Sequence, residues 1–407
     1  MMDALAPFAS PLYLMAKPVG SRCNLRCDYC YYLEKEKLYS ASGHGGMMMD
    51  DRVLEAFIRQ YIESQTTPAV LFTWHGGEPL LRDRSYYEKI IALERRYARG
   101  IRVDNAIQTN GTLLDDDWCR FFRDNGWLVG LSVDGPEDLH DRYRRTAGGG
   151  PSFAAVMRAI ETLDRNAVDW NALAVVNVYN ARHPDRFYDF FRSVGCHYIQ
   201  FTPVVERLVR HADGRHLASV ADTSAPLADF SVTPGLWGDF LCRVFDRWVR
   251  ADVGTYFVQL FDATLANWVG VPPGVCSLGS YCGHAGVVEH NGDIYSCDHF
   301  VFPEYRLGNI LDRPLLDMMY SGRQRDFGSA KRSALPRQCR ECRYTDICNG
   351  ECPRNRFVLS VDGQPGLNYL CEGYYRFFSH SEPYMRFMRD ELLAGRPASN
   401  VMALPAK

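Results

Sequence analysis

This chain of 407 residues has little that is one-sided. Its formal net charge is only −3, with 46 Lys and Arg against 49 Asp and Glu, so no global basic field argues for nucleic acid as a partner. No apolar run approaches the ~20 residues that a membrane helix needs. The start, Met1-Met2-Asp3-Ala4-Leu5-Ala6-Pro7, lacks the basic segment and long apolar stretch of a secretory signal. Low-complexity tracts and internal repeats of 20–50 residues are missing too, which sets aside repeat architectures. The expected setting is the reducing cytoplasm, with small molecules or a protein surface as partners. There, clustered cysteines point to metal rather than to disulfides.

What is present is core material and alternation. Hydrophobic residues make up 46% and aromatic residues 13%, enough for a globular chain of two or three domains. Strand-like runs at 12–17, 70–74, 102–109, 127–133, 170–178 and 198–202 alternate with helix-like runs at 50–64, 86–99, 115–125, 153–166 and 184–194. Such alternation predicts a parallel sheet with helices outside, an α/β fold. Six units fall short of a closed eight-fold barrel, so the expectation is an open, partial (β/α)6 barrel. Residues 206–234 read as an irregular insertion, with His211, Asp213, Gly214 and His216. Helices are expected over 236–250 and 256–269, and a frayed tail from about 396. The domain limits read as 1–235 for the barrel, 236–272 for a helical linker, 273–380 for a cysteine-rich domain and 381–407 for a final helix and tail.

Cysteine placement carries the chemistry. Cys23, Cys27 and Cys30 form a C-x3-C-x2-C loop directly after the first strand, followed by Tyr31 and Tyr32. Four thiolates normally hold a [4Fe–4S] cluster, and three leave one iron open for chemistry. A zinc site or a redox C-x-x-C pair is the alternative. Eight more cysteines lie between 276 and 371: Cys276, Cys282, Cys297, Cys339, Cys342, Cys348, Cys352 and Cys371. Eight suits two four-thiolate sites, either iron–sulfur or zinc. Cys119, Cys196 and Cys242 stand apart and read as small buried hydrophobes.

The cysteine loop resembles that of the radical S-adenosylmethionine (SAM) superfamily, and the C-terminal field resembles the SPASM auxiliary-cluster domain. Within that group the chain is similar to the anaerobic sulfatase-maturating enzymes. The strings that carry this are Leu25-Arg26-Cys27-Asp28-Tyr29-Cys30-Tyr31-Tyr32, Gly76-Gly77-Glu78-Pro79-Leu80, Gln108-Thr109-Asn110-Gly111-Thr112, Val129 to Pro136, Ser296-Cys297-Asp298 and Arg306-Leu307-Gly308-Asn309-Ile310. The resemblance implies three [4Fe–4S] clusters and SAM. Cys23, Cys27 and Cys30 would hold the first cluster, Cys276, Cys282, Cys297 and Cys352 the second, and Cys339, Cys342, Cys348 and Cys371 the third. Tyr29, Gly76, Gly77, Glu78, Ser132, Arg144 and Val205 would contact SAM, with Glu78 accepting from its amino group.

The implied reaction oxidises a cysteine or serine in a sulfatase Cys/Ser-x-Pro-x-Arg motif to Cα-formylglycine, with reduced flavodoxin or ferredoxin as electron donor. Asp298 would be the base, its pKa raised by a partly desolvated site. His75, where the family often has glutamine, is read as either a donor to substrate or a packing residue. Two competing readings are a peptide-crosslinking SPASM enzyme and a zinc-stabilised binding protein. The first strand near residue 12 leaves no room before it for the peptide-docking domain that crosslinking enzymes often carry. Iron-free, zinc-loaded protein after anaerobic purification would end the radical reading.

Overall fold

The computed structural model describes residues 11–39, 47–211, 214–220 and 222–405; Met1–Pro7 and Asp213, named above, lie outside them. Strands and helices alternate as the apolar spacing predicts. In chain order the strands are β1 (Tyr13–Ala16), β2 (Ala69–Trp74), β3 (Arg102–Thr109), β4 (Leu128–Ser132), β5 (Trp170–Val176) and β6 (Tyr198–Pro203). Then come β7 (Leu208–His211), β8 (Gly214–Leu217), β9 (Phe257–Val258), β10 (Ala285–Val288), β11 (Asp293–Tyr295) and β12 (Arg306–Asn309). The longer helices are α1 (Asp51–Glu63), α2 (Arg84–Tyr97), α3 (Asp116–Asp124), α4 (Phe153–Arg165), α5 (Pro184–Ser193), α6 (Pro234–Ala251), α7 (Gln259–Val269) and α8 (Cys371–Leu393).

Two compact units interleave along the chain: one comprises 1–132, 141–170 and 281–330, the other 133–140, 171–280 and 331–407. In the first unit, β1 to β4 run parallel to one another, and β1 also pairs in parallel with β10. β11 and β12 extend β10 in antiparallel fashion. α1, α2 and α3 each begin at an aspartate, Asp50, Asp83 or Asp115, whose side chain accepts the N–H three residues on; this satisfies an otherwise orphaned donor. In the second unit β5, β6 and β9 are parallel. Phe261 of α7 is fully buried there against the rings of Phe245, Trp248 and Phe377.

Three local expectations need correcting. Residues 206–234 are not wholly irregular, because β7 and β8 pair as an antiparallel hairpin. Residues 257–258 are strand rather than helix, since Phe257 and Val258 pair with Tyr198 and Ile199. Within the described residues the tail is not frayed: Val401 is buried in the helical turn Ala398–Ala403, and Glu391 accepts from Arg396 and Asn400.

The cysteine loop is held by backbone on two sides. On one, Gly77 N–H donates to Gly20 O at 2.7 Å and Glu78 N–H to Arg22 O at 2.8 Å. On the other, Arg26 N–H donates to Arg145 O at 2.7 Å and Asp28 N–H to Tyr143 O at 3.1 Å. Gly77 is required by space: a Cβ there would stand 1.8 Å from Arg22 O. No rotamer relieves a clash with backbone.

Two predictions follow from this packing. Gly77→Ala should cost about 3 kcal/mol or more, because the loop must move. Gly126→Ala has open space and only a φ of +66° to strain, so about 1–2 kcal/mol is expected. Equal losses in chemical denaturation would refute the close-approach argument. A buried chain links Trp74 Nε1, Asn105 and Glu94, at 2.7 and 3.0 Å. Burial pushes the Glu94 carboxyl up to about 8, with Asn105 pulling the other way. A raised carboxyl pKa keeps its proton in the folded state. Its stabilisation is therefore complete below the ordinary carboxyl range and is lost as pH rises toward about 8, by at most about 1.4 kcal/mol per pH unit. Glu94→Gln should flatten that alkaline slope between pH 5 and 8; an unchanged slope would assign it elsewhere.

Candidate active site and cluster-binding cysteines

The three loop cysteines sit where β1 gives way to the strapped turn. All fourteen cysteines are free thiols, which suits ligation and not disulfides. Cys23 Sγ accepts from Leu25 N–H at 3.3 Å and lies 3.7 Å from Asn110 Nδ2. Burial pushes its thiol up to about 11 against the pull of the Leu25 N–H, so a bare thiolate is disfavoured there without a positive ion. Cys30 N–H donates to Cys27 O at 3.0 Å, closing the turn. Three thiols on one loop, with N–H groups directed at sulfur, fit a [4Fe–4S] cluster that keeps one iron open.

The predicted SAM residues divide by what their side chains do. Tyr29 is buried, with its ring edge against Tyr143 and the Arg144 guanidinium 5.6 Å from its centroid. Arg144 is itself buried, whereas Arg142 and Arg145 are exposed. That separates Arg144 from an ordinary solvated basic face. Ser132 ends β4, and its hydroxyl accepts from Gln108 Nε2 at 3.0 Å. Glu78 is fully buried and takes three donors: Thr109 Oγ1 at 2.7 Å, Asn110 N–H at 2.8 Å and Leu80 N–H at 3.0 Å. Its visible task is to clamp the turn after β2 to the end of β3. Desolvation pushes its carboxyl up to about 7 even against those donors.

Asp298 starts the short turn after Cys297. Lys17 Nζ stands 2.7 Å from its Oδ1 as an ion pair. The Tyr31 hydroxyl donates to Oδ2. The expected upward pKa shift is overturned. Burial does push the carboxyl up, but the Lys17 ammonium and the neighbouring imidazoles of His75 and His299 outweigh it and hold Asp298 below the usual carboxylate range. The carboxyl group is therefore ionised and able to accept a proton. His75 is the opposite case: burial, reinforced by Lys17, pushes it down to about 3. Its Nδ1 accepts the Gly76 N–H at 2.7 Å, which assigns the remaining ring proton to Nε2.

Cys282 and Cys297 belong to this first unit; Cys282 N–H donates to Gly328 O at 3.2 Å. Cys276 and Cys352 lie in the second. There, buried Lys331 donates to the carbonyls of Cys276 and Ser277 at 2.5 and 2.8 Å, and Cys352 precedes the turn Pro353–Asn355. Cys339, Cys342, Cys348 and Cys371 are close enough in that unit for their charges to act on one another. Burial is the main cause raising both Cys348 and Cys371, the latter to about 11. Val205 is buried just after β6.

Sequence reasoning gave no role to Lys17, Tyr31, Asn24 and Asn110. Asn110 donates to Asn24 Oδ1 at 2.8 Å beside Cys23. The only signal for Lys17 was a charge at the end of an apolar strand.

Comparison with known proteins identifies the family. Residues 18–191 match the radical SAM superfamily and residues 281–343 an iron–sulfur cluster-binding domain. The chain is 58% identical to a serine-type anaerobic sulfatase-maturating enzyme of Bacteroides thetaiotaomicron, over 98% of this chain and 96% of that one. It is 30% identical to a cysteine-type enzyme of Clostridium perfringens, over 92% and 97%. A solved structure described as native anSMEcpe with bound AdoMet superposes with a TM-score of 0.81 at 30% identity, covering 93% of this chain and all of that one. The fold is thus that of a radical SAM partial barrel with a SPASM domain, and the cofactors are SAM and [4Fe–4S] clusters. The chain belongs to the anaerobic sulfatase-maturating enzymes.

Proposed function

We propose that this enzyme oxidises a serine in a sulfatase polypeptide to Cα-formylglycine, within a Ser-x-Pro-x-Arg motif. The observation that carries the reading is Asp298, ionised and held from two sides directly after a cluster cysteine. Preference for serine over cysteine is supported by the serine-type names of relatives at 58% and 37% identity. When bound, SAM and its cluster would supply a 5′-deoxyadenosyl radical, and the auxiliary clusters would supply an acceptor for the electron the substrate gives up.

In this reading Cys23, Cys27 and Cys30 would hold the radical-generating cluster. Cys276, Cys282, Cys297 and Cys352 would hold one auxiliary cluster, and Cys339, Cys342, Cys348 and Cys371 the other. Tyr29, Gly76, Gly77, Glu78, Ser132, Arg144 and Val205 would contact SAM. The backbone at Gly76 and Gly77 lets the ligand approach closely, and the Arg144 fork suits a carboxylate. The Asp298 carboxylate takes the serine hydroxyl proton as the Cβ–O bond gains double-bond character. Reduced flavodoxin or ferredoxin is the proposed electron donor, the cytoplasm the compartment, and 1–235, 236–272, 273–380 and 381–407 the domain limits.

The test incubates reduced, cluster-loaded enzyme with SAM and matched serine and cysteine peptides. Aldehyde and 5′-deoxyadenosine should form together, faster with serine. A cysteine preference would reverse the assignment of substrate type; 5′-deoxyadenosine with neither peptide altered would refute the reaction. Asp298→Asn should keep peptide and SAM binding and lose roughly a hundred- to ten-thousand-fold in turnover. Wild-type turnover in that variant would remove Asp298 as the base.

A further inference from the structure

Lys17 directly follows β1 and has no exposed side-chain surface. Its Nζ is 2.7 Å from Asp298 Oδ1, 3.4 Å from His75 Nδ1 and 4.2 Å from the centroid of the Tyr32 ring. A buried ammonium is expensive unless paired, and here the partner is the residue proposed as the base. Neither end of the pair is free to drift. Lys17 N–H donates to Val288 O at 2.9 Å, tying Lys17 to the end of β10. β10 pairs with β11, which leads in sequence to Asp298. Tyr31 meanwhile holds Oδ2. The sheet therefore fixes both the carboxylate and the charge beside it.

We propose that Lys17 is a positioning residue for proton transfer: its pinned ammonium orients the Asp298 carboxylate and leaves a fixed positive charge beside it once the proton has moved. The proposal rests on Asp298 being the base. In the step, which follows loss of the serine Cβ hydrogen atom to the 5′-deoxyadenosyl radical, the serine O–H bond breaks and an O–H bond forms on Asp298. The carboxylate goes from −1 to neutral and the serine oxygen from neutral to −1, while Lys17 keeps its three protons throughout. The electron that then leaves to complete the aldehyde is the one assigned above to the cluster acceptor. Before transfer Lys17 neutralises Asp298. Afterwards the same charge is available to the oxygen that has lost its proton, in a water-poor site where fixed charges act strongly.

His75 complements this arrangement. With Nδ1 accepting from Gly76 N–H and facing the ammonium, the ring stays neutral and brings no second positive charge to compete with Lys17 for Asp298. Tyr32 contributes its ring face to the same ammonium and donates its hydroxyl to buried Glu289. The aromatic wall on one side of Lys17 is thus itself anchored.

The experiment uses the full, cluster-loaded chain with Lys17→Met, Asp298→Asn and the double variant. Lys17→Met should bind peptide within about twofold of wild type and still form 5′-deoxyadenosine, while aldehyde formed per 5′-deoxyadenosine falls by about a hundredfold, the scale of a misplaced reacting group. KM should stay put and kcat should fall. An unchanged aldehyde to 5′-deoxyadenosine ratio in Lys17→Met overturns the proposal even if Asp298→Asn is inactive. Wild-type turnover in Asp298→Asn instead overturns the base on which the proposal stands. If Lys17→Met does not accumulate as folded protein, the double variant, which removes both charges, should recover folding. Failure to recover shows that Lys17 is not there for Asp298.

Discussion

The close approach of two backbones at Gly77 is the constraint on which the rest of the site depends. Arg22 O lies where the Cβ of any other residue would be. The turn after β2 can therefore lie flat against the cysteine loop, bonded through Gly20 O and Arg22 O. The loop in turn is strapped by residues 143 and 145, which brings Arg144 beside Tyr29. Glu78 completes the clamp by spending its buried carboxylate on Thr109, Asn110 and Leu80. One steric fact at one glycine thus aligns three strand ends.

Around that frame the charges are arranged by burial rather than by number. Asp298, His75 and Glu78 share low exposure to water, yet they titrate in different directions. Asp298 faces an ammonium and is held ionised. His75 faces the same ammonium and is held neutral. Glu78 has only neutral donors, and desolvation prevails. A single buried lysine therefore holds Asp298 ionised and reinforces the burial that keeps His75 neutral, as expected where the dielectric is low and charges are few.

Much of the fold was legible because hydrophobic period is a local property. The βα alternation, the Asp50 cap and the strand ends carrying Gly76, Ser132 and Asn110 all follow from runs of a dozen residues or fewer. The misreadings were made by partners distant in sequence. Residues 257–258 are strand because Tyr198 and Ile199 offer hydrogen bonds. The tail is ordered because Glu391 gathers Arg396 and Asn400. No pattern within those segments announces either partner.

The sequence by itself determined the chemistry on offer: three thiols in one loop, eight more near the far end, and an aspartate directly after Cys297. Ligand identity and spacing are covalent facts, so they can be read without coordinates. Only the tertiary structure decided what those groups experience. Lys17 and Asp298 are 281 positions apart, and their 2.7 Å contact exists because β10 lies beside β1. Burial and pairing set a charge's energy, and both are properties of neighbours in space, not of neighbours in the chain.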